Sequence, residues 1–415
     1  MKKLTILFVF AFILHACDKD DSFTPVCDIV TNVAANSITR NSAIITWNNT
    51  DDSASYTLEY GISGFVLGSG VIVSETNLST QLTALQANTT YDVYIQTICS
   101  SNNLSSYTNV YSFTTLEPAV VPELRPTLSE LNLFSNNLYD LNITSLAFEY
   151  NLNTTLFSDF AHKQRLIALP DGTSMTYDGD GLPIFPDNTV IAKTFFYNNN
   201  ERDLDEGRRI IETRVLIKIN GNWESGNYKW NGEQTEAFLD LDSSILPVSW
   251  IDNDGITQSV NYKIPSNTDC FTCHQSFDNL KPIGPKLRSM NFNVNGSNQL
   301  QGFIDNGRLN GITNSTSVRS LPNWEDDTYS IEDRARAYLD VNCASCHIPG
   351  GQCEDQSDTN FAYETSLVDS KIVERKETIE FRISDYNEGI SMPLIGTTIL
   401  HTEGVELIQA YLDTL

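Results

Sequence analysis

Basic side chains are scarce in this chain: 26 Lys and Arg stand against 53 Asp and Glu, a formal charge of -27. A protein that tracks a phosphate backbone needs a basic stripe, so this balance excludes a nucleic-acid-binding role. Long apolar runs are missing too. The nearly continuous run at residues 4–14 has eleven residues, well short of the ~20 that a spanning helix needs. Cysteine, 8 in 415 residues, is too sparse for a disulfide-built scaffold, and histidine numbers only 5. With 40% hydrophobic and 19% charged residues, the chain is still neither disordered nor a membrane bundle. Its length allows two to four domains with buried cores.

The chain begins with a basic pair, Lys2 and Lys3, followed by the short apolar run, and this reads as a signal peptide over residues 1–16. Leu14-His15-Ala16-Cys17 resembles a bacterial lipobox, which implies lipidation of Cys17 and a membrane-lipid partner. Residues 17–26 form an acidic tether, and Asp18-Lys19-Asp20-Asp21 resembles the acidic tag of surface-exported bacterial lipoproteins. The expected location is the cell envelope, anchored to the outer membrane, where cysteines are oxidised or covalently loaded.

Residues 27–116 alternate apolar and polar positions in short strands, at 43–47, 55–60, 91–97 and 110–113, a β-sandwich pattern. Trp47, Leu82, Leu85 and Tyr91 give this stretch a resemblance to a fibronectin type III domain, with Trp47 and Tyr91 as core residues. In such a domain Cys27 lies at the first strand and Cys99 at the end of the Tyr91 strand, and in an oxidising compartment the two are candidates for a disulfide. Sequence alone does not fix that connectivity.

Residues 117–127, with Pro118 and Pro122, read as a linker. Residues 128–265 are again mainly β, with strands at 189–197 and 209–218 and a hairpin-like stretch at 223–230. Asp178 to Gly181 and Asp252 to Gly255 have the look of calcium loops but lack the remaining ligand positions, so they read as turns. Beyond 265 the period becomes helical. A first motif-bearing region spans 266–329 and a second 330–415, and within the second, residues 331–341 and 404–415 each carry one apolar face. The expected fold class is therefore multidomain: an immunoglobulin-like sandwich, a central mainly-β domain and a mainly-α C-terminal region.

Two motifs carry the chemistry. Cys270-Phe-Thr-Cys273-His274 and Cys343-Ala-Ser-Cys346-His347 both match CxxCH, the attachment pattern for haem c. Two thiols at this spacing reach two vinyl groups on one side of a porphyrin, and the adjacent imidazole turns onto the iron. A four-cysteine zinc knuckle leaves both histidines unexplained. A redox CxxC pair calls for a βαβ frame that neither motif has. The expected cofactors are two covalently bound haems c, with His274 and His347 as proximal metal ligands.

The order helix 331–341, Cys343 to His347, Met392-Pro393, helix 404–415 resembles a class I cytochrome c. That implies Met392 as distal ligand and a thioether-raised potential suited to electron transfer. For the first motif, Ile283-Gly-Pro-Lys-Leu287 resembles the stretch whose proline carbonyl orients the proximal His, here Pro285. Met290 is the only methionine between the two motifs and is the nominal distal ligand, with Met175, His162 and His401 as donors from elsewhere.

Residues 128–415 together resemble a poorly characterised family of bacterial di-haem c-type cytochrome lipoproteins. The resemblance rests on Leu156-Phe-Ser-Asp-Phe-Ala-His-Lys-Gln-Arg165, Leu169-Pro-Asp-Gly172, Lys193-Thr-Phe-Phe-Tyr197, Glu212-Thr-Arg214, Tyr228-Lys-Trp230, the two haem-bearing stretches and Met392-Pro-Leu394. It implies an exported redox role with no fixed substrate. Cys353 is left without an assignment and reads as a small buried hydrophobe or an intermolecular pairing site. Three function classes follow: electron transfer between two haems and a redox partner, for which the acidic charge favours a basic surface; a peroxidase- or dehydrogenase-like oxidoreductase with an open first haem; and a surface binding or adhesion protein.

Overall fold

The computed structural model describes residues 26–51 and 53–415, so the signal peptide and Cys17 lie outside the described residues. These residues fall into two compact units that divide between Pro118 and Ala119.

The first unit is a sandwich of two sheets. Strands β1 (Thr31–Asn36), β2 (Ala43–Asn48) and β5 (Ser79–Leu82) form one, in the order β1-β2-β5. The other runs β4-β3-β6-β7, from β4 (Val71–Glu75), β3 (Ser55–Ile62), β6 (Thr90–Ser100) and β7 (Asn103–Leu104), with β8 (Tyr111–Thr114) also on β6. The alternation seen in the sequence is the cause: Ala43, Ile45 and Trp47 point inward from β2, and Tyr91, Val93 and Ile95 do so from β6. The Tyr91 hydroxyl accepts from the Gln86 amide at 2.9 Å, tying the strand to the turn before it. Cys27 and Cys99 are joined in a disulfide that closes a 72-residue separation.

The second unit is built on a six-stranded antiparallel sheet in the order β15-β14-β13-β12-β10-β9. Its strands are β9 (Ala147–Glu149), β10 (His162–Ala168), β12 (Val190–Asn198), β13 (Arg208–Ile219), β14 (Asn222–Trp230) and β15 (Ala237–Leu239). The short β11 (Met175–Thr176) pairs with residues 309–310, and β16 (Ser244–Ile251) with β17 (Thr257–Ile264) makes a separate hairpin. One face of the large sheet buries Leu166, Ala168, Ala192, Val215, Tyr228 and Trp230, and Trp223 packs against the core on the opposite face, so the three aromatics of the hairpin-like stretch are packing residues. The opposite face carries Ile167 and Ile191 into a core shared with Leu287, Leu300 and Phe303. The β-rich and helical stretches thus fold together.

Seven α-helices follow among the described residues. Helix α1 (Asn267–His274) carries the first motif and packs on β14. The short α2 (Leu287–Met290) and α3 (Gln299–Asp305) come next, then α4 (Ile331–Asn342), which ends where the second motif begins. Helices α5 (Leu367–Ser370), α6 (Lys376–Ser384) and α7 (Thr402–Leu412) complete the chain, with α7 packed on both α4 and α6. Ser266 and Asp269 cap α1 reciprocally, and the Ser330 side chain caps α4. No helix among the described residues is long and apolar enough to cross a membrane.

Asp340 is 2% exposed on α4 and takes Lys286 at 3.0 Å and Arg288 at 2.7 Å. Burial by itself would raise its carboxyl, but the two cations pull it below the ordinary value of 3.8. Asp340→Asn leaves buried Arg288 without this partner, and a loss of about 3–5 kcal/mol is expected in chemical denaturation. In the unaltered chain the stabilisation from Asp340 is complete above its ordinary pKa and fades as pH falls through the depressed one. Denaturation at stepped pH checks the sign, since the Asn variant lacks that acid-dependent component.

Candidate functional site

Both motifs open on one cavity of about 700 Å³ in the second unit. Cys270, Cys273 and His274 reach it from α1, and Cys343, Cys346 and His347 from the turn after α4, while Met392 and Pro393 close another side. Its volume falls within the range of small-molecule and cofactor sites.

The imidazoles are oriented by backbone and hydroxyl partners. His274 Nδ1 lies 2.7 Å from the Lys281 carbonyl oxygen, which can only accept, so Nδ1 carries the proton and Nε2 keeps its lone pair. The expected orienting carbonyl was that of Pro285. The structure corrects this: Pro285 lines the cavity, but the strand-like return after α1 brings Lys281 to the ring. His347 Nδ1 sits 3.0 Å from Thr359 Oγ1. Burial lowers the pKa of both rings, that of His274 to about 4, so both are neutral at neutral pH and available as ligands.

The thiols meet across the cavity. The neighbouring Cys273 and Cys346 thiols act on each other, which pushes Cys273 up and Cys346 down from the ordinary value. Burial raises the Cys343 thiol to about 12 and also raises Cys270. Cys353 stands on the same wall, and its backbone amide donates to the Cys346 carbonyl at 3.2 Å, a contact its isolated position in the sequence gave no means of finding.

The remaining sequence candidates are not brought to the wall. Met290 and Met175 are fully buried in the same apolar core with Phe148 and Phe303. His162 Nε2 lies 2.7 Å from the Glu201 carboxylate. His401 stacks on Phe157 at 4.2 Å and its Nδ1 lies 2.9 Å from the Tyr338 hydroxyl. The Asp252 carboxylate accepts from the amides of Asp254 and Ile256, closing its own turn.

The sequence reading did not find the sheet side of the cavity. Arg165, Lys193 and Arg214 line it from three adjacent strands, directly paired in register as Arg165 with Lys193 and Lys193 with Arg214. The signal was a charged residue at an inward position within an otherwise apolar strand.

No family model matches the chain, and no curated protein matches it. Solved structures do match it. The sixth fibronectin type III domain of human fibronectin type III domain containing protein 3 is 23% identical, with 23% of this chain and 92% of that one covered and a TM-score of 0.20. The FN5 domain of Drosophila Lar is 16% identical over 22% of this chain and 100% of that one, with a TM-score of 0.20. A redesigned β-sandwich protein is 23% identical over 22% of this chain and 96% of that one, also with a TM-score of 0.20.

The expectation of metal binding is corrected. Among the described residues, no group of three or more His, Cys, Asp or Glu side chains is arranged to hold a metal ion. No similarity to a known family or curated protein supports describing the chain as a cytochrome c, a haem or iron protein, a lipoprotein or an outer-membrane protein.

Cys273 and Cys346 reach the same cavity from the two motifs and act on each other there, which makes them the pair expected to link when no group occupies the motifs. Mild oxidation of a haem-free preparation is expected to link the peptides holding these two residues, as read by mass spectrometry after proteolysis. Cys346→Ser removes that link.

Proposed function

We propose that this protein holds two covalently attached haem c groups and serves electron transfer. One haem is carried by Cys270, Cys273 and His274, the other by Cys343, Cys346 and His347. The observation that carries the reading is that both motifs open on one cavity of cofactor size. The local chemistry fits such a group. The Lys281 carbonyl fixes the His274 tautomer that leaves Nε2 free to ligate, and Thr359 sits in the corresponding place beside His347. Met392, on the wall of the same cavity, offers a thioether to the second group. When bound, haem supplies a one-electron couple whose potential follows its axial ligands and their hydrogen bonds. The protein's own part is to hold both imidazoles neutral and oriented, and to shield them from bulk water.

A second reading, an oxidoreductase with an open first site, has one observation in its favour. Met290, Met175, His162 and His401 all lie off the cavity wall, so the first motif has no thioether or imidazole from this set facing it.

The pyridine haemochrome ratio of the purified chain is expected to be two haems per polypeptide, surviving denaturing electrophoresis. A ratio of zero overturns the proposal, and a ratio of one removes one motif from it. Met392→Ala should lower the reduction potential of a single haem and leave both covalent links intact, because a thioether favours the reduced state. Cyanide binding to the first haem without displacement of a protein ligand would favour the oxidoreductase.

A further inference from the structure

The sheet side of the cavity holds more positive charge than the fold needs. Lys163 and Arg165 alternate on β10, Lys193 follows on β12, and Arg214 on β13, all on the same face of the sheet. Like charges placed directly opposite on neighbouring strands are destabilising. Among the described residues, Glu212, fully buried, is paired with Arg214 and also accepts from the Tyr262 hydroxyl at 2.6 Å, and buried Asp159 acts on Lys163, which leaves Arg165 and Lys193 without a carboxylate in an ion pair. Arg165 is 7% exposed, and the one hydrogen bond of its side chain among the described residues is a long one, 3.3 Å, to the Lys163 carbonyl on its own strand. Lys193 has no hydrogen-bond or ion-pair partner among the described residues; its ammonium lies over the Phe195 ring at 4.8 Å, and Arg214 lies over the same ring at 4.3 Å. Of the other acids on the cavity wall, Asp340 is held by Lys286 and Arg288, Asp358 by Arg375, Asp269 by the cap of α1 and Glu354 by the Gly350 amide, while Asp355 is exposed on the helical side.

We propose that Arg165, Lys193 and Arg214 form a recognition wall for a carboxylate-bearing anion inside the cavity. The guanidinium of Arg165 presents a planar fork to a carboxylate, and Lys193 beside it adds a point charge. Burial and the neighbouring cations hold the Lys193 ammonium well below its ordinary pKa, a cost that a bound anion relieves. Two sources supply this chemistry: the propionate of a haem attached at the first motif, or a free small dicarboxylate. The wall itself is argued from the cations alone, and only the propionate source rests on the haem reading.

The test uses the full chain in two forms, haem-loaded and haem-free, with succinate as probe in calorimetry and thermal-shift assays. Lys193→Met removes the charge at nearly constant volume, and Lys193→Arg restores it. Saturable succinate binding, weakened more than tenfold by Lys193→Met and recovered by Lys193→Arg, is expected in at least one form. Binding to both forms identifies a free anion as the occupant. Binding confined to the haem-free form, together with a lowered haem potential in Lys193→Met, identifies the propionate. Should the chain carry no haem, the reading of the preceding section fails, and the haem-free assay decides this one by itself. The proposal is overturned if neither form binds succinate and Lys193→Met leaves the potential unchanged, or if succinate binds equally well to Lys193→Met. A purely structural Lys193 would alter melting temperature without altering the succinate-dependent shift.

Discussion

The buried carboxylate of Asp340 is the contact on which the site depends. It sits three residues before Cys343, while its partners Lys286 and Arg288 follow the first motif by about a dozen residues. One ion network therefore joins the segment after His274 to the helix before His347, and the two motifs come to share a cavity for that reason. A charge taken this far from water is stable only with its counter-charges in place. The network thus specifies register between two parts of the chain that no apolar contact distinguishes so sharply.

Around that junction the second unit works as one body. The large sheet gives one face to an apolar core and shares the other between a second core and the cavity, with α1 packed on β14 and α4 and α7 packed on each other. The sheet's inward cations and the paired thiols consequently face a common space. Its wall is chemically divided, with soft thiols and neutral imidazoles on the helical side and a row of guanidinium and ammonium groups on the sheet side. A planar cofactor or substrate with an apolar body and acidic edge suits that division.

The sequence made some of this legible and left the rest obscure, for physical reasons. Period-two alternation around Trp47 and Tyr91 reports a half-buried strand directly, and the sandwich follows from it. The apolar face at 331–341 becomes α4 almost to the residue, and CxxCH marks the reactive groups through local spacing. Pairing across long separations leaves no such trace. Nothing local places Lys281 beside His274, Cys353 beside Cys346, or Arg165 opposite Lys193. Met290 stood out for its position between the motifs, yet α2 turns it into the core with Leu287. A methionine's place along the chain does not say which way its helix faces.

The central claim is that both motifs serve one cavity, and circular dichroism in the Soret region tests it most directly. Two haems attached side by side should couple as transition dipoles and give a two-signed couplet. That couplet should vanish when either motif is disabled, by Cys270→Ser with Cys273→Ser or by Cys343→Ser with Cys346→Ser. A spectrum of the unaltered protein equal to the sum of the two single-haem variants would contradict the account.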